Sequence, residues 1–119
     1  MKKLVSWVEI PSKDFTRAVN FYSKVFELQL EVFEYESEKM ACFPSGEGAV
    51  FYAEGYLPST EGVIVNFNVS DNIENTVKRI EENGGKIIRP KTKIEAEGRG
   101  YFALFIDSEG NKLGIYGDE

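Results

Sequence analysis

Residues 102–117 read FALFIDSEGNKLGIYG, two short apolar runs around a tight polar turn, which is the pattern of a β-hairpin. Residues 41–54, ACFPSGEGAVFYAE, lie over 103–116 at an offset of 62, so that Ala41 meets Ala103, Phe43 meets Phe105 and Gly48 meets Gly110. Self-similarity of this kind marks a duplicated unit and outweighs any single element. In the later copy Gly114 stands where a strand side chain would pack. Glycine weakens a strand interior and often marks a close approach. It leaves room for a ligand or for Trp7 to lie across the sheet, or it relieves crowding at a bulge.

Working outward, the duplication extends over the chain. KLVSWVEIP alternates as a strand, with Val8 and Ile10 on one side and Trp7 and Glu9 on the other. SKDFTRAVNFYSKVFEL places Phe15, Ala18, Val19, Tyr22, Val25 and Phe26 at helical spacing. LEVFEY, KMACFP and AVFYAE read as three strands. The order then repeats: VIVNFNV is a strand, and SDNIENTVKRIEENGG is a helix with Ile73, Val77 and Ile80 on one stripe. Asp71 and Glu74 have capping-box spacing, and Gly84 or Gly85 supplies the stop. KIIRP, YFALFID and NKLGIYG complete the set. The predicted fold is α+β: two tandem βαβββ modules, about residues 1–56 and 62–117, in one domain over 1–119, joined by the Pro58-containing connector. Their curved mixed sheets enclose a cleft, with the helices on the outer faces.

Composition narrows the function. A chain of 119 residues with 42% apolar content fits a single core. The apolar run in MKKLVSWVEIP is too short for a signal peptide or a membrane span, so a cytoplasmic location is expected. A net charge of −6 with scattered Lys and Arg argues against nucleic acid. With no histidine, metal or acid/base chemistry must rest on carboxylates, phenols, Lys or Arg. Cys42, flanked by apolar residues, reads as a small core residue.

One helix covers one face of each sheet, and the other face is left for function. By alternation that face carries Trp7 and Glu9, then Ile64, Asn66 and Asn68, then Gly114 and Tyr116. The offset of 62 adds Tyr52 and Glu54 to it and sends Phe51 and Ala53 to the helix side. Glu9 and Glu54 are the candidate acids, for binding a cation or for catalysis. Asn66 and Asn68 are candidate hydrogen-bonding groups, and Trp7, Tyr52, Tyr56, Tyr101 and Tyr116 offer aromatic surface with polar tips. Arg99 lies on the glycine-flanked loop AEGRGYF.

The duplicated unit, D-x-x-R-A-x-x-F-Y at Asp14, Arg17, Ala18, Phe21 and Tyr22, and D-x-E-G-N at Asp107, Glu109, Gly110 and Asn111 together resemble the vicinal oxygen chelate superfamily. That group holds glyoxalase I, bleomycin-resistance proteins, extradiol dioxygenases and fosfomycin-resistance enzymes. WVEIP, AEGYLPS and KTKIEAEGRGYFALFID are similar to a glyoxalase-related branch without an assigned reaction. The resemblance implies, in metal-using members, a divalent ion held by His, Gln or Glu from the first and last strands of each repeat. Those positions fall here on Trp7, Tyr52, Ile64 (Val65 if the register slips by one) and Gly114, none a normal ligand.

No cofactor is therefore expected. The resemblance also implies a homodimer with two equivalent clefts. Three functions remain open: metal-independent binding of an aromatic or cationic small molecule, a glyoxalase- or dioxygenase-like lyase or isomerase with its metal moved to Glu9 or Glu54, or a partner-binding module with a vestigial cleft.

Overall fold

The computed structural model describes residues 3–119; Met1 and Lys2, the start of the MKKLVSWVEIP stretch read above, lie outside them. The elements follow the expected order: β1 (Val8–Pro11), α1 (Phe15–Val25), β2 (Glu31–Glu34), β3 (Glu38–Cys42), β4 (Gly48–Ala53), β5 (Asn66–Asn68), α2 (Ile73–Glu82), β6 (Lys86–Lys93), β7 (Tyr101–Ile106) and β8 (Lys112–Gly117). They form two four-stranded mixed sheets, β1-β4-β3-β2 and β5-β8-β7-β6, with β1 parallel to β4 and β5 parallel to β8.

Each helix starts where a short polar side chain can take the first free N–H. Asp14 accepts from Arg17 N at the start of α1. At α2 the cap is Asn72, which accepts from Asn75 N at 2.8 Å. The expected Asp71/Glu74 capping box therefore does not form. Asp71 instead accepts from the Asn75 side chain and Arg79, and Glu74 pairs with Lys91 at 2.9 Å. Gly84, at φ +94°, makes the left-handed stop that glycine adopts without strain.

Both modules share one core. Ile10, Ala41 and Val50 of the first sheet and Ala103, Phe105, Leu113 and Ile115 of the second join the buried faces of α1 and α2. The aromatic residues of α1 reach both modules: Phe21 stacks on Phe105 with centroids 6.3 Å apart, and Tyr22 lies 6.4 Å from Phe43 and 5.9 Å from Phe67.

The two signature motifs meet at this junction. Asp107 Oδ1 accepts from the N–H groups of Glu109, Gly110 and Asn111, which fixes the β7–β8 turn, and Asp107 Oδ2 accepts from Tyr22 Oη at 2.6 Å. Asn111 Nδ2 donates to Pro11 O at the end of β1. Glu109 reaches the start of α1, accepting from Lys13 N, Asp14 N and the Arg17 guanidinium, whose Nε lies 2.7 Å away. Burial alone would push the Glu109 carboxyl up. The Arg17 hydrogen bond and the N–H groups of Asp14 and Lys13 outweigh it and hold the carboxyl below its ordinary value. These motifs lock one module onto the other.

Strand register corrects one expectation. Ile10 lies beside Val50 as Phe67 lies beside Ile115, and Ala41 opposes Val50 as Ala103 opposes Ile115. The offset of 62 thus holds for β3 and β7, but β4 maps onto β8 at 65. The reason is turn length: Phe43 N bonds Gly48 O across a short turn, whereas Phe105 opposes Leu113 across a turn three residues longer. Because strand side chains alternate, an odd slip reverses the faces. Val50 and Tyr52 lie on the helix side, and Phe51 and Ala53 on the open side, the reverse of the reading above. Phe51 is buried outside the core cluster, under the Tyr56 ring at 5.4 Å.

Candidate functional site: two open sheet faces of opposite charge

The face of the first sheet turned away from its helix carries Glu9 of β1, Ala49 and Phe51 of β4, Glu38, Met40 and Cys42 of β3, and Glu31 and Phe33 of β2. Trp7, just before β1, donates from Nε1 to Glu9 Oε2 at 3.3 Å and is 40% exposed. The Phe33 and Tyr35 rings stack at 6.4 Å with 4° between their planes, both exposed. The strands place three carboxylates on this face and no Lys or Arg. Burial, then the Glu31 carboxylate, pushes the Cys42 thiol up and away from a reactive thiolate.

The open face of the second sheet has the opposite sign. It carries Asn66 and Asn68 of β5, Lys112, Gly114 and Tyr116 of β8, Phe102 and Leu104 of β7, and Lys86 and Arg89 of β6. Its strands contribute three cations and no carboxylate. Arg89 stands over the Phe102 ring, its Cζ 5.1 Å from the centroid. A cavity of about 670 Å³ on this face is lined by Ile64, Asn66, Asn68, Arg99, Phe102, Leu104 and Tyr116, among others. A second cavity of about 610 Å³ lies at the seam between modules, against Val8, Phe26, Phe43 and Phe67, and Asn66 and Asn68 border it as well.

The sequence-based candidates separate cleanly. Trp7 and Glu9 come together on the first face; Ile64, Asn66, Asn68, Arg99, Gly114 and Tyr116 come together on the second. Val65 packs against the core, so Ile64 is the outward residue. Tyr52 falls on the helix side of β4, and Glu54 lies exposed in the turn beyond the strand. Tyr101 also lies on the helix side, under the Lys91 and Lys93 ammonium groups at 4.5 and 5.5 Å. Glu31, Phe33, Tyr35, Met40, Arg89, Phe102 and Leu104 were missed. Alternation within EVFEY and YFALFI could have revealed the strand residues, whereas Arg89 follows a register shift in β6 that the sequence does not mark.

Gly114 has a specific neighbour. A Cβ there would run into the Asn66 side chain and come within 3.3 Å of Leu104 Cδ2. The space is filled by the Asn66 amide, not by Trp7.

The register also moves one of the four positions at which the resemblance implies a metal ligand. Glu9 pairs with Ala49 as Asn66 pairs with Gly114, so the first-module counterpart of Gly114 is Ala49, not Tyr52. Trp7, Ala49, Ile64 and Gly114 offer no oxygen, imidazole or thiolate donor, and the residues do not fit a divalent ion at that place. Among the described residues no group of three or more His, Cys, Asp or Glu side chains is placed to hold one elsewhere. No helix among them is long and apolar enough to cross a membrane.

The model of the Glyoxalase/Bleomycin resistance protein/Dioxygenase superfamily matches residues 4–115. A glyoxylase-like domain-containing protein of Didymella fabae is 26% identical over 93% of this chain and 91% of its own length. Among solved structures, a genomically encoded fosfomycin resistance protein of Listeria monocytogenes superposes with a TM-score of 0.75 at 16% identity, over 100% of this chain and 94% of that one. A glyoxalase/bleomycin resistance protein/dioxygenase family enzyme of Burkholderia phytofirmans gives 0.72 at 17%, over 97% and 98%. Glyoxalase I of Zea mays gives 0.70 at 20%, over 95% of this chain and 45% of the longer maize chain.

Proposed function

Since the chain belongs to the Glyoxalase/Bleomycin resistance protein/Dioxygenase superfamily, we propose that it is a metal-independent small-molecule-binding protein. Its ligand is aromatic and carries a positive group, and it sits in clefts built from the open sheet faces of two copies. The observation that carries this reading is the content of the four first- and last-strand positions. Trp7, Ala49, Ile64 and Gly114 replace ligating side chains with an indole, small side chains and an apolar wall, next to polar groups that are still exposed. Trp7, Phe33 and Tyr35 offer stacking surface for a flat cation, and Glu9, Glu31 and Glu38 offer the countercharge.

The charges support a dimer. Within one chain both faces are open and expose Trp7, Phe33, Tyr35 and Ile64, and apolar surface of this kind favours a partner. Three carboxylates on one face and three cations on the other make each face the complement of the other face on a second copy. A two-fold arrangement satisfies both contacts at once.

The test is thermal unfolding of untagged, chelator-treated protein with divalent metals and with naphthylmethylammonium as a flat cation. A ligand at about a hundred times its dissociation constant adds about 2.7 kcal/mol, a midpoint rise on the order of 10 °C. A rise with the organic cation that Glu9→Gln weakens supports the reading. A rise with Mn, Ni, Zn or Fe alone would overturn it in favour of a metal-dependent lyase or isomerase.

A further inference from the structure

Arg99 stands apart from the other arginines. Arg17 is engaged by Glu109, Arg79 by Asp71 and the carbonyl of Val25, and Arg89 by the Phe102 ring. None of the ion pairs among the described residues uses Arg99, although Glu95 and Glu97 lie on its own loop. Arg99 is exposed and lines the 670 Å³ cavity.

The loop that carries it is held firmly. The Lys93 ammonium donates to the carbonyls of Ile94 (3.0 Å) and Arg99 (2.6 Å), Ile94 N donates to Gly100 O, and Gly100 N donates to the Tyr116 hydroxyl at 3.2 Å. Across the cavity the amides of Asn66 and Asn68 donate to no protein group among the described residues, and Gly114 leaves room for the Asn66 amide, whose oxygen stands where a Cβ of residue 114 would be. The floor and wall between these polar groups are Phe102, Leu104 and Ile64. A guanidinium and two amides, with no side-chain partner among the described residues and set around an apolar floor, suit a carboxylate attached to a flat apolar body.

We infer that the open face of the second sheet is an anion subsite, in which Arg99 takes the carboxylate of the ligand and Asn66 and Asn68 donate to its oxygens. This rests on the small-molecule reading above and sharpens it. With the acidic first face of a second copy opposite, as the proposed dimer would place it, the ligand is amphoteric: its positive group turns to Glu9 and its carboxylate to Arg99. Lys93 is a positioning residue, acting on Arg99 through the loop carbonyls.

The experiment titrates ¹⁵N-labelled protein with 1-naphthoate, 1-naphthylmethanol and 1-naphthylmethylammonium, following the side-chain amide signals of Asn66 and Asn68. Naphthoate is expected to shift both signals and to bind more tightly than the alcohol. Arg99→Gln, on an exposed loop, should weaken naphthoate roughly tenfold, the low end for a charged hydrogen bond at a partly open site, and leave the alcohol unchanged. Equal binding of naphthoate and the alcohol, or an Arg99→Gln variant indistinguishable from the parent, overturns the anion subsite while the cation-binding reading stands. Binding of none of the three overturns both.

Discussion

Asn66 lies across Gly114. The two are register partners on the parallel pair β5 and β8, and the glycine's missing side chain is what lets the asparagine amide rest on the sheet. An amide placed in this way sits low in the cavity, at the height where a substituent on residue 114 would otherwise stand.

Gly114→Ala separates this role from packing. The atom in the way is the far end of a mobile side chain, and Gly114 does not occupy the left-handed region that would penalise alanine. The expected stability change is within about 1 kcal/mol, because a strand alanine limits the unfolded chain and offsets the crowding. The Asn66 side-chain amide signals should move strongly. A loss of several kcal/mol in urea unfolding would show that Gly114 serves the core instead.

Tyr22→Phe tests the junction between modules. The hydroxyl is buried and donates to Asp107 Oδ2, which keeps only Asn111 Nδ2 when it is gone. The expected cost is about 1.5–3 kcal/mol, a fall in melting midpoint on the order of 5–10 °C. A variant as stable as the parent would mean that the Asp107 turn is held by its own backbone N–H groups and Asn111 without help from Tyr22.

The same junction sets the pH dependence. Glu109 has a folded value held below the ordinary carboxylate value of about 4.3. Its contribution is fully present above roughly that pH and is lost as the pH falls through the lower folded value. Tyr22 is the opposite case. Burial, and after it the Asp107 charge, raises its hydroxyl well above the ordinary phenol value, so stability declines as the pH rises beyond about 10. Urea midpoints from pH 3 to 11 should fall at both ends. Glu109→Gln should lower stability at neutral pH by about 1 kcal/mol and flatten the acid limb; an unchanged acid limb would assign it to other carboxylates.

Charge reversal tests the pairing of faces. The protein is expected to sediment as a dimer at micromolar concentration, weaken as salt is raised, and dissociate on Arg89→Glu. Adding Glu31→Lys to that variant should restore part of the association. A monomer at low salt, or a dimer indifferent to Arg89→Glu, would rule out pairing of the acidic face with the basic one.

The second module was largely legible before its structure was known. VIVNFNV and NKLGIYG alternate without interruption, so Ile64, Asn66, Asn68, Gly114 and Tyr116 could be placed on one face by counting in twos. The first module was read through the second, and there the reading failed. The superposition matched the glycines of two turns that differ in length by three residues. An odd error on a strand reverses every side chain, which moved Tyr52 and Glu54 onto a face they do not occupy and hid Ala49 and Phe51.

By itself the sequence determined the duplication, the two helices and the absence of histidine, because periodicity and composition are local properties of the chain. Tertiary structure decided what the motif residues do and how charge is divided. Glu109 and Arg17 lie 92 positions apart and meet only when the β7–β8 turn folds onto the start of α1. The separation of three carboxylates from three cations depends on pairing register, including the shifts in β6 that bring Arg89 opposite Leu104. Register is fixed by turn closure and by burial of one face against the helices, so the sign of each open face emerges only when both sheets have closed on the common core.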